Sequence, residues 1–326
     1  MQSALLLLVW VASLAAYEVK VRVFDDRGEA IVGAKITVFF VKQGKSGGVT
    51  GVSGSDGAFM ADGKSTLGID IIAECAGHYS SRADNLKNGM DHEVQMVLPR
   101  VLKPTALFAL RDFWPKIPSP GQWYGFDFEA GDWVAPHGKG KTVDVLFRYT
   151  SDFKGWKDDV VDPVRREWVM AANKTRDESA KKEWSLEKFK AEHGKWDGVL
   201  QVAFPGKQEG AVEQKFISYN EMKMPHAAPV DGYVAALEFS ANTYSYPNFR
   251  QDIGFFLRTR VRLDKDGNIA SANYSKIHGD FVFYPADGKM NFTYYYNPMP
   301  NDRNLEFAPK KNLFPEDKKG AFVQSP

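Results

Sequence analysis

Short segments that alternate strictly between apolar and polar residues constrain the fold of this chain more than any other feature. The first runs from Val19 to Val23, where three valines alternate with two basic residues. Successive side chains of a strand point to opposite faces, so such a segment predicts one buried face and one polar face. Similar segments recur up to Leu98, with Asp–Gly turns between them. Several short strands at this spacing predict a β-sandwich over residues 17–100.

A second β pattern in the C-terminal half is the strongest in the chain. Apolar residues alternate with Arg258, Arg260 and Arg262, and a turn containing an Asp–Gly pair leads into the next alternating run. An Asp–Gly pair between alternating segments is typical of a hairpin. We therefore predict a second, antiparallel β domain over residues 122–308, and the chain as a whole is predicted to be mainly β.

Three segments interrupt this β pattern. Residues 101–121 contain four prolines, which lack the N–H that a sheet needs, so this segment is predicted to be a linker. Asp162 and Pro163 suit the N-cap and first position of a helix, and residues 162–194 are predicted to form a helical excursion from the second domain. Residues 309–326 are rich in Lys, Asp and Pro, and we predict a mobile tail.

The N-terminal segment predicts export. Residues 1–16 are an apolar run that ends in small residues, which is the pattern of a cleaved signal peptide. No basic residue precedes the run, and the alternative is a buried first strand. The run is too short to span a bilayer, and no later segment is long and apolar enough to do so. The sequence thus predicts a secreted, periplasmic or cell-surface protein without a membrane span.

Composition and motifs exclude several classes of function. The formal net charge is +1, which gives no reason to expect a nucleic-acid partner. Walker, Rossmann and G-x-S-x-G patterns are absent, and the six histidines lack the spacing of a zinc site. The single cysteine, Cys75, excludes an intramolecular disulfide and lies in an alternating segment, where a packed thiol is expected. We predict no cofactor, no metal and no catalytic residue, and the oligomeric state stays open.

Four segments carry a family resemblance: residues 23–28 (VFDDRG), 32–38 (VGAKITV), 55–59 (SDGAF) and 76–79 (AGHY). In order and spacing they resemble carboxypeptidase-regulatory-like domains, although His78 separates the Gly and Tyr of the last element. The resemblance covers about a quarter of the chain. It implies a transthyretin-like seven-strand sandwich that is not itself catalytic and that accompanies a secreted enzyme, a receptor or a surface-binding protein. Fold analogy of this kind does not transfer a function.

The rest of the chain carries a broader resemblance. Residues 127–140 and 297–314 are similar to segments of secreted bacterial proteins of unknown role that contain such a regulatory-like domain. This resemblance implies an architecture and no activity.

Two groups of residues are candidate ligand contacts. Arg258, Arg260 and Arg262 occupy alternate positions of one predicted strand, so their side chains are expected to share one face. Such a face suggests binding of an anionic polymer such as an acidic glycan. The alternative, a solvated face or one paired with acids, is the commoner outcome for a charge run.

The second group lies in the loop that precedes the strand around Val145. Asp132, Trp133 and His137 fall close together between glycines, and binding residues often lie on loops that a rigid scaffold positions. The group suggests a contact to carbohydrate or metal. The alternative is a loop held in place by a buried Trp133.

Two functions from different classes follow. The first is a non-catalytic binding or structural protein at the cell surface, whose partner is an extracellular glycan or a surface protein. The second is a polysaccharide hydrolase or lyase whose carboxylates are assembled in the second domain. Paired acids about 5–10 Å apart in a cleft favour the enzyme, whereas a flat aromatic platform without such a pair favours the binding protein.

Overall fold

The structure is a computed structural model that describes residues 16–42, 47–86, 92–111, 113–152, 197–242, 250, 252–285 and 288–326. The predicted helical excursion at 162–194 and all but the last residue of the predicted signal peptide lie outside the described residues. The chain divides into two compact units. Unit 1 contains residues up to Lys103 together with Ile217–Lys223, and unit 2 contains Pro104–Phe216 and Met224–Pro326.

Unit 1 is a sandwich of seven strands, as predicted. Its strands are β1 (Ala16–Phe24), β2 (Lys35–Val41), β3 (Gly47–Val52), β4 (Ala58–Lys64), β5 (Gly68–Glu74), β6 (Ser81–Leu86) and β7 (His92–Val97). One sheet has the order β4-β1-β7 and the other β3-β2-β5-β6. Strand β1 runs antiparallel to β4 and parallel to β7.

The core of unit 1 consists of the apolar residues that alternate in the sequence. Val19, Val21 and Val23 of β1 are fully buried and pack with the apolar positions of β2, β5 and β7. The polar positions between them face outward, with Arg22 half-buried at 3.3 Å from Glu93 Oε1. The two-residue period therefore sets which face of each strand enters the core.

One segment of unit 1 comes from far along the chain. Residues 217–223, which sequence analysis assigned to the second domain, place the buried Asn220 beside β6 and β7. The Asn220 amide Nδ2 lies 2.8 Å from Ser81 Oγ and 3.1 Å from the Val97 carbonyl oxygen, and Met222 N donates to Asn220 Oδ1 at 2.8 Å. A buried amide with this many partners stabilises the segment that carries it.

Replacing Asn220 with Ala is expected to destabilise unit 1 by about 1–3 kcal/mol, because it leaves buried groups of β6 and β7 without a donor. Amide hydrogen exchange in β6 measures this loss, and protection there should fall about 10- to 100-fold. Ser218→Ala, an exposed change in the same segment, is the control and should leave protection unchanged. Equal protection in the two variants would show that the Asn220 contacts do not stabilise β6.

Unit 2 consists of two five-stranded antiparallel sheets. Its strands are β8 (Phe108–Leu110), β9 (Tyr124–Asp127), β10 (Asp132–Trp133), β11 (Val145–Ser151), β12 (Asp197–Ala203), β13 (Gly210–Lys215), β14 (Ala236–Asn242), β15 (Ile253–Leu263), β16 (Ile269–Tyr284) and β17 (Lys289–Asn297). The first sheet has the order β10-β9-β11-β12-β14 and the second β13-β15-β16-β17-β8. Apolar residues of both sheets form one core rich in aromatic rings.

Aromatic rings from both sheets pack together in this core. Phe126 and Phe147 of the first sheet meet Phe281 and Phe292 of the second, with ring centroids 5.1–6.3 Å apart among them. Most of these contacts are edge-to-face or tilted, the arrangements that aromatic quadrupoles favour. The described part of the chain contains a single helical element, the 3-10 turn Pro309–Lys311.

Two predictions about chain segments are wrong. The predicted linker at 101–121 is mostly part of unit 2, because β8 pairs with β17 and Ile117 is buried in the core. The predicted mobile tail at 309–326 is packed: Phe314 joins the same core, and Asn312 bonds the backbone of Ala109 in both directions, at 3.1 and 2.9 Å. In both segments a few buried side chains outweigh a polar or proline-rich composition.

A second, smaller cluster covers the other face of the second sheet of unit 2, and it contains a lysine. Lys276 of β16 is fully buried among Phe256, Tyr295 and their neighbours. Its Nζ lies 4.6 Å from the centroid of the Tyr295 ring and has no hydrogen-bond partner among the described residues. Burial lowers the pKa of Lys276 to about 7, with the charge of Glu306 opposing the shift.

Candidate functional site

The turn between β9 and β10 is built around the carboxylate of Asp127. Its Oδ1 accepts hydrogen bonds from Glu129 N and Ala130 N at 3.0 and 3.2 Å, and its Oδ2 accepts from Lys141 N and Thr142 N at 2.8 and 3.0 Å. Burial tends to raise the pKa of Asp127, but the backbone donors outweigh it and hold the pKa below its usual value. One carboxylate thus ties both ends of the loop together.

Gly131 completes this turn because of its backbone conformation. Its φ of +58° lies in the left-handed region, and a Cβ atom there would come within 2.7 Å of Leu110 Cδ1. Only glycine combines the positive φ with this close approach at no steric cost.

Arg260 completes an ion cluster beneath the loop. Its guanidinium binds Asp144 with both Nε and Nη2, at 2.7 and 3.0 Å, and Nη1 donates to Glu129 Oε2 at 2.7 Å. Nη2 also lies 3.2 Å from Asp127 Oδ1, and the guanidinium carbon lies 5.0 Å from the centroid of the Tyr296 ring. Asp144 is fully buried, so this fork-on-carboxylate contact is shielded from water.

Burial and pairing act in opposite directions on this cluster. Burial raises the pKa of Asp144, and the hydrogen bonds and charge of Arg260 work against the rise. For Arg260, burial works to lower the pKa, but the bonds to Asp144 outweigh it and the pKa is raised. The fully buried Asp144 has one backbone donor, Phe128 N, besides the guanidinium, whereas Asp127 has four backbone donors.

The cluster brings acids together without freeing either aspartate for chemistry. A general acid or base needs a carboxyl group that can reach a substrate and exchange a proton with it. Asp127 and Asp144 accept bonds from backbone N–H groups and Arg260 on both oxygens, and both are buried. The arrangement therefore serves to hold the loop of residues 128–144 in one conformation.

The loop places the predicted group of Asp132, Trp133 and His137 in three different environments. Trp133 is 6% exposed and packs edge-to-face on Phe126 in the core. Asp132 accepts hydrogen bonds from Trp133 N and Lys139 N at 2.8 and 3.0 Å. His137 is exposed, with its ring 4.8 Å from that of Tyr124. Trp133 therefore anchors the loop, Asp132 is half-buried, and His137 is the most exposed of the three.

The expectation that Arg258, Arg260 and Arg262 share one face is wrong. A β-bulge shifts the register of β15 against β16 between Thr259 and Arg262, and Arg260 adopts a φ of +52°. A bulge turns the next side chain to the other face. Arg258 therefore lies on the face of Lys276, Arg260 turns inward to the acids, and Arg262 is exposed. Ligand binding by Arg262 stays a prediction.

Sequence analysis missed a row of side chains on the outer face of the first sheet of unit 2. Arg148 of β11, Gln201 of β12 and Glu238 of β14 are paired across the strands in register. Trp123 immediately precedes β9, whose Tyr124 pairs with Phe147, so the tryptophan extends the same row. We call Trp123, Arg148, Gln201 and Glu238 the outer row.

Direct contacts link the outer row from end to end. The guanidinium carbon of Arg148 lies 4.6 Å from the ring centroid of Trp123. Arg148 Nε and Nη2 donate to Gln201 Oε1 at 2.8 and 2.6 Å, and Gln201 Nε2 donates to Glu238 Oε2 at 3.1 Å. Trp123 is 40% exposed. The outer row is thus an aromatic ring followed by three interlocked polar groups, all at a solvent-facing surface.

Small side chains border the outer row. On one side the register aligns Leu146, Ala203 and Ala236, with Gly125 opposite Leu146. On the other side it aligns Thr150, Val199 and Ser240. These seven neighbours are uncharged, so the charges on this stretch of the sheet belong to the outer row.

Unit 1 has an open depression of about 470 Å³, lined by residues that include Lys35, Glu74, Cys75 and His78. Cys75 is half-buried and packs against the sandwich core, and Lys35 Nζ pairs with Glu74 at 3.3 Å. Among the described residues of the whole chain, no group of three or more His, Cys, Asp or Glu side chains could hold a metal ion. The same part of the chain has no apolar helix of membrane-spanning length.

Comparisons with known proteins add weak similarities only. No family model matches the chain, and no curated protein matches it. Among solved structures, it is similar to hydroxyquinol 1,2-dioxygenase from Pseudomonas putida, with 12% identity over 28% of this chain and 58% of the dioxygenase, at a TM-score of 0.22. The chain therefore spans little more than half the length of that enzyme.

Two further similar structures come from Bacteroides. One is a protein of unknown function from Bacteroides fragilis proposed to be membrane-associated, with 12% identity over 86% of this chain and 95% of that one, at a TM-score of 0.21. The other is a protein from Bacteroides uniformis proposed to bind carbohydrate, with 8% identity over 88% and 98%, at a TM-score of 0.21. At such scores the likenesses carry no argument about function.

Proposed function

We propose that this chain is an exported, non-catalytic binding protein that holds a neutral carbohydrate on the outer face of unit 2. The observation that carries the proposal is the outer row, in which an exposed tryptophan is followed by three hydrogen-bonded polar side chains. The apolar N-terminal run and the resemblance of residues 17–100 to carboxypeptidase-regulatory-like domains support export.

The chemistry of the outer row suits a sugar. A tryptophan ring offers a flat apolar surface with a polar edge, which matches the C–H face of a pyranose ring. Arg148 and Gln201 offer N–H donors, and Glu238 offers acceptors. A sugar hydroxyl can therefore form a hydrogen bond here either as acceptor or as donor. The three strand spacings that the row crosses amount to about 14 Å, which is enough for a short oligosaccharide.

The charges of the outer row favour a neutral ligand. The positive charge of Arg148 and the negative charge of Glu238 are joined through Gln201, so the row as a whole has no net charge. An acidic glycan would be attracted by the charge of Arg148 and repelled by that of Glu238. A neutral glycan can form hydrogen bonds with both Arg148 and Glu238 without electrostatic repulsion.

The acids bound to Arg260 support a non-catalytic role. Asp127, Glu129 and Asp144 all bind Arg260, and the two aspartates are buried with their oxygens occupied. Glycoside hydrolysis needs one protonated and one ionised carboxyl group that both reach the scissile bond. The cluster of Arg260 is instead a support for the loop, so it does not favour the polysaccharide hydrolase or lyase.

Trp123→Ala is expected to abolish or weaken binding to a neutral glycan by at least about 10-fold, because stacking on a large aromatic ring contributes on the order of 1–3 kcal/mol at such sites. A glycan array with neutral and acidic chains identifies the ligand, and calorimetry measures the affinity. Trp114→Ala is the matched control, since Trp114 is similarly exposed at 44% and is not part of the outer row.

Three results would contradict the proposal. The first is that no neutral glycan binds, and the second is that Trp123→Ala and Trp114→Ala weaken binding equally. The third is the release of new reducing or unsaturated ends when the protein is incubated with polysaccharides, which would favour the hydrolase or lyase.

A further inference from the structure

Arg258 is a buried cation that forms no ion pair within 4 Å among the described residues. It is 8% exposed, and its guanidinium carbon lies 4.2 Å from the centroid of the Tyr233 ring. Nε donates to the Gln208 carbonyl oxygen at 2.7 Å and Nη1 to the Val230 carbonyl oxygen at 2.9 Å. Buried charges in proteins are almost always paired with an opposite charge, so this arginine needs an explanation.

A second guanidinium reaches the same loop. Arg303 Nη1 donates to the Ala228 carbonyl oxygen at 2.8 Å, and the Tyr233 hydroxyl donates to the Pro229 carbonyl oxygen at 2.8 Å. Together with the Arg258 bond to Val230, three consecutive carbonyl groups are held by two arginines and a tyrosine. Burial raises the pKa of Tyr233 and the charges of both arginines oppose the rise, in keeping with two guanidinium groups close to this ring.

The groups that remain at this site are donors. Arg258 Nη2 and the Nε and Nη2 atoms of Arg303 are not used in the bonds to the loop. Tyr274 is paired with Arg258 across β15 and β16, so the two residues share a face, and a tyrosine hydroxyl can donate a further hydrogen bond. The nearest acid on the loop, Asp231, is exposed and influences Tyr233 by its charge. A guanidinium fork with unused N–H groups is matched by a planar oxyanion.

We propose that Arg258 and Arg303, with the hydroxyl of Tyr274, form a binding site for the carboxylate group of a small ligand. The carboxylate neutralises Arg258 and takes up the N–H groups that the loop carbonyls leave unused. The face of Tyr233 shields the contact from water, which strengthens it. This site lies on the second sheet of unit 2 and does not depend on the proposed carbohydrate function of the first sheet.

The test is an NMR titration of the protein labelled with ¹⁵N-arginine, following the side-chain Nε–H signals. Acetate should shift the Arg258 signal with a dissociation constant in the millimolar range, about 4 kcal/mol of binding free energy. Acetamide is the neutral isostere and should have no effect. Raising the salt concentration from about 0.05 to 0.5 M should weaken acetate binding, because the contact is ionic.

Variants distinguish a ligand-binding role of these residues from a purely structural role in holding the loop. Arg303→Gln should weaken acetate binding at least about 5-fold, and Tyr274→Phe about 2- to 5-fold. Arg262→Gln removes the same charge from an exposed position of the same strand and should leave the titration unchanged. Trp123→Ala should also leave it unchanged, so failure of the carbohydrate proposal and failure of this one are distinguishable.

Three outcomes would overturn the assignment: no shift of the Arg258 signal with acetate, an equal shift with acetamide, or an unchanged affinity in Arg303→Gln. Phosphate and sulfate are titrated in parallel. Saturable binding of either without binding of acetate would show that the site takes a different oxyanion and that the carboxylate assignment is wrong. Because Arg258→Gln is at risk of unfolding, Arg303→Gln, at a half-buried position, carries the test.

Discussion

Replacing Arg260 with Met lowers the free energy of unfolding of unit 2 by about 3–5 kcal/mol, the usual cost of removing one partner from a buried ion pair. Asp144 is fully buried, and Arg260 supplies two of its hydrogen bonds. Without the guanidinium only the bond from Phe128 N remains, and the charge of Asp127 repels that of Asp144. Methionine keeps the length and apolar stem of arginine, so lost packing is a small part of the effect.

Urea denaturation followed by tryptophan fluorescence measures this loss, since Trp133 lies in the core of unit 2. Arg262→Met is the control and should cost less than about 0.5 kcal/mol, because Arg262 is exposed. Adding Asp144→Asn to Arg260→Met should restore part of the stability by removing the unpaired charge. A loss below about 1 kcal/mol would contradict the role given to the cluster, since it would match an exposed pair.

The Arg260→Met variant should also have a distinctive pH dependence. In the variant, Asp144 is buried without its counter-charge, so its pKa in the folded state rises further above the unfolded value. The unfolded chain then releases a proton that the folded one keeps, and stability falls as the pH rises above about 4. The deficit relative to the parent should therefore shrink as the pH is lowered towards 4. A deficit independent of pH would show that lost packing dominates.

Replacing Lys276 with Met is expected to stabilise unit 2, the reverse of the usual effect of a core substitution. Lys276 is fully buried without a hydrogen-bond partner for its Nζ among the described residues, and burial lowers its pKa to about 7 from the ordinary value of 10.5. A shift of this size corresponds to about 3–5 kcal/mol of unfavourable free energy for the charged form. Methionine fills a similar volume and removes that cost.

The sign of the pH dependence follows from the lowered pKa. Between about pH 7 and 10.5 the unfolded chain binds a proton that the folded one does not, so the stability of the parent rises with pH across this window. Below pH 7 Lys276 is charged in both states, and the folded protein bears the full cost of burying that charge. The gain from Lys276→Met is therefore largest below pH 7 and should decline towards pH 10.5.

Denaturation midpoints at a series of pH values measure this gain, and Lys265→Met in an exposed turn is the control. The variant should have a higher midpoint than the parent at pH 6, with little difference near pH 10.5. Equal stability at all pH values would show that Lys276 is not held neutral in the core. A lower stability of the variant would show that the contact with the Tyr295 ring outweighs the burial of the charge.

Local alternation was enough to predict the β class, a sandwich in unit 1 and the hairpins of unit 2, whereas the number of seven strands came only from the family resemblance. Val19, Val21 and Val23 face the core as expected, because the two-residue period is a property of each strand alone. The linker and tail predictions failed for a different reason. Composition marks residues 101–121 and 309–326 as polar or proline-rich, while their placement depends on a few buried side chains, Ile117 and Phe314 among them.

The candidate site could not be predicted from local sequence patterns. Arg148, Gln201 and Glu238 lie 53 and 37 positions apart in the chain, and only the register of three strands aligns them. The face assigned to Arg260 was also wrong, because a bulge interrupts the alternation that the prediction assumed. One local signal did exist: each of the three residues occupies a polar position in an otherwise alternating strand.

The return of residues 217–223 to unit 1 has a consequence for how this protein can be divided or recombined. A break after Lys103 does not release a complete first unit, since Asn220 and its bonds to Ser81 and Val97 come from beyond the break. Here the unit is discontinuous, so genetic exchange of residues 17–103 alone would transfer an incomplete structure. Selection is then expected to preserve the two units together as one inherited piece.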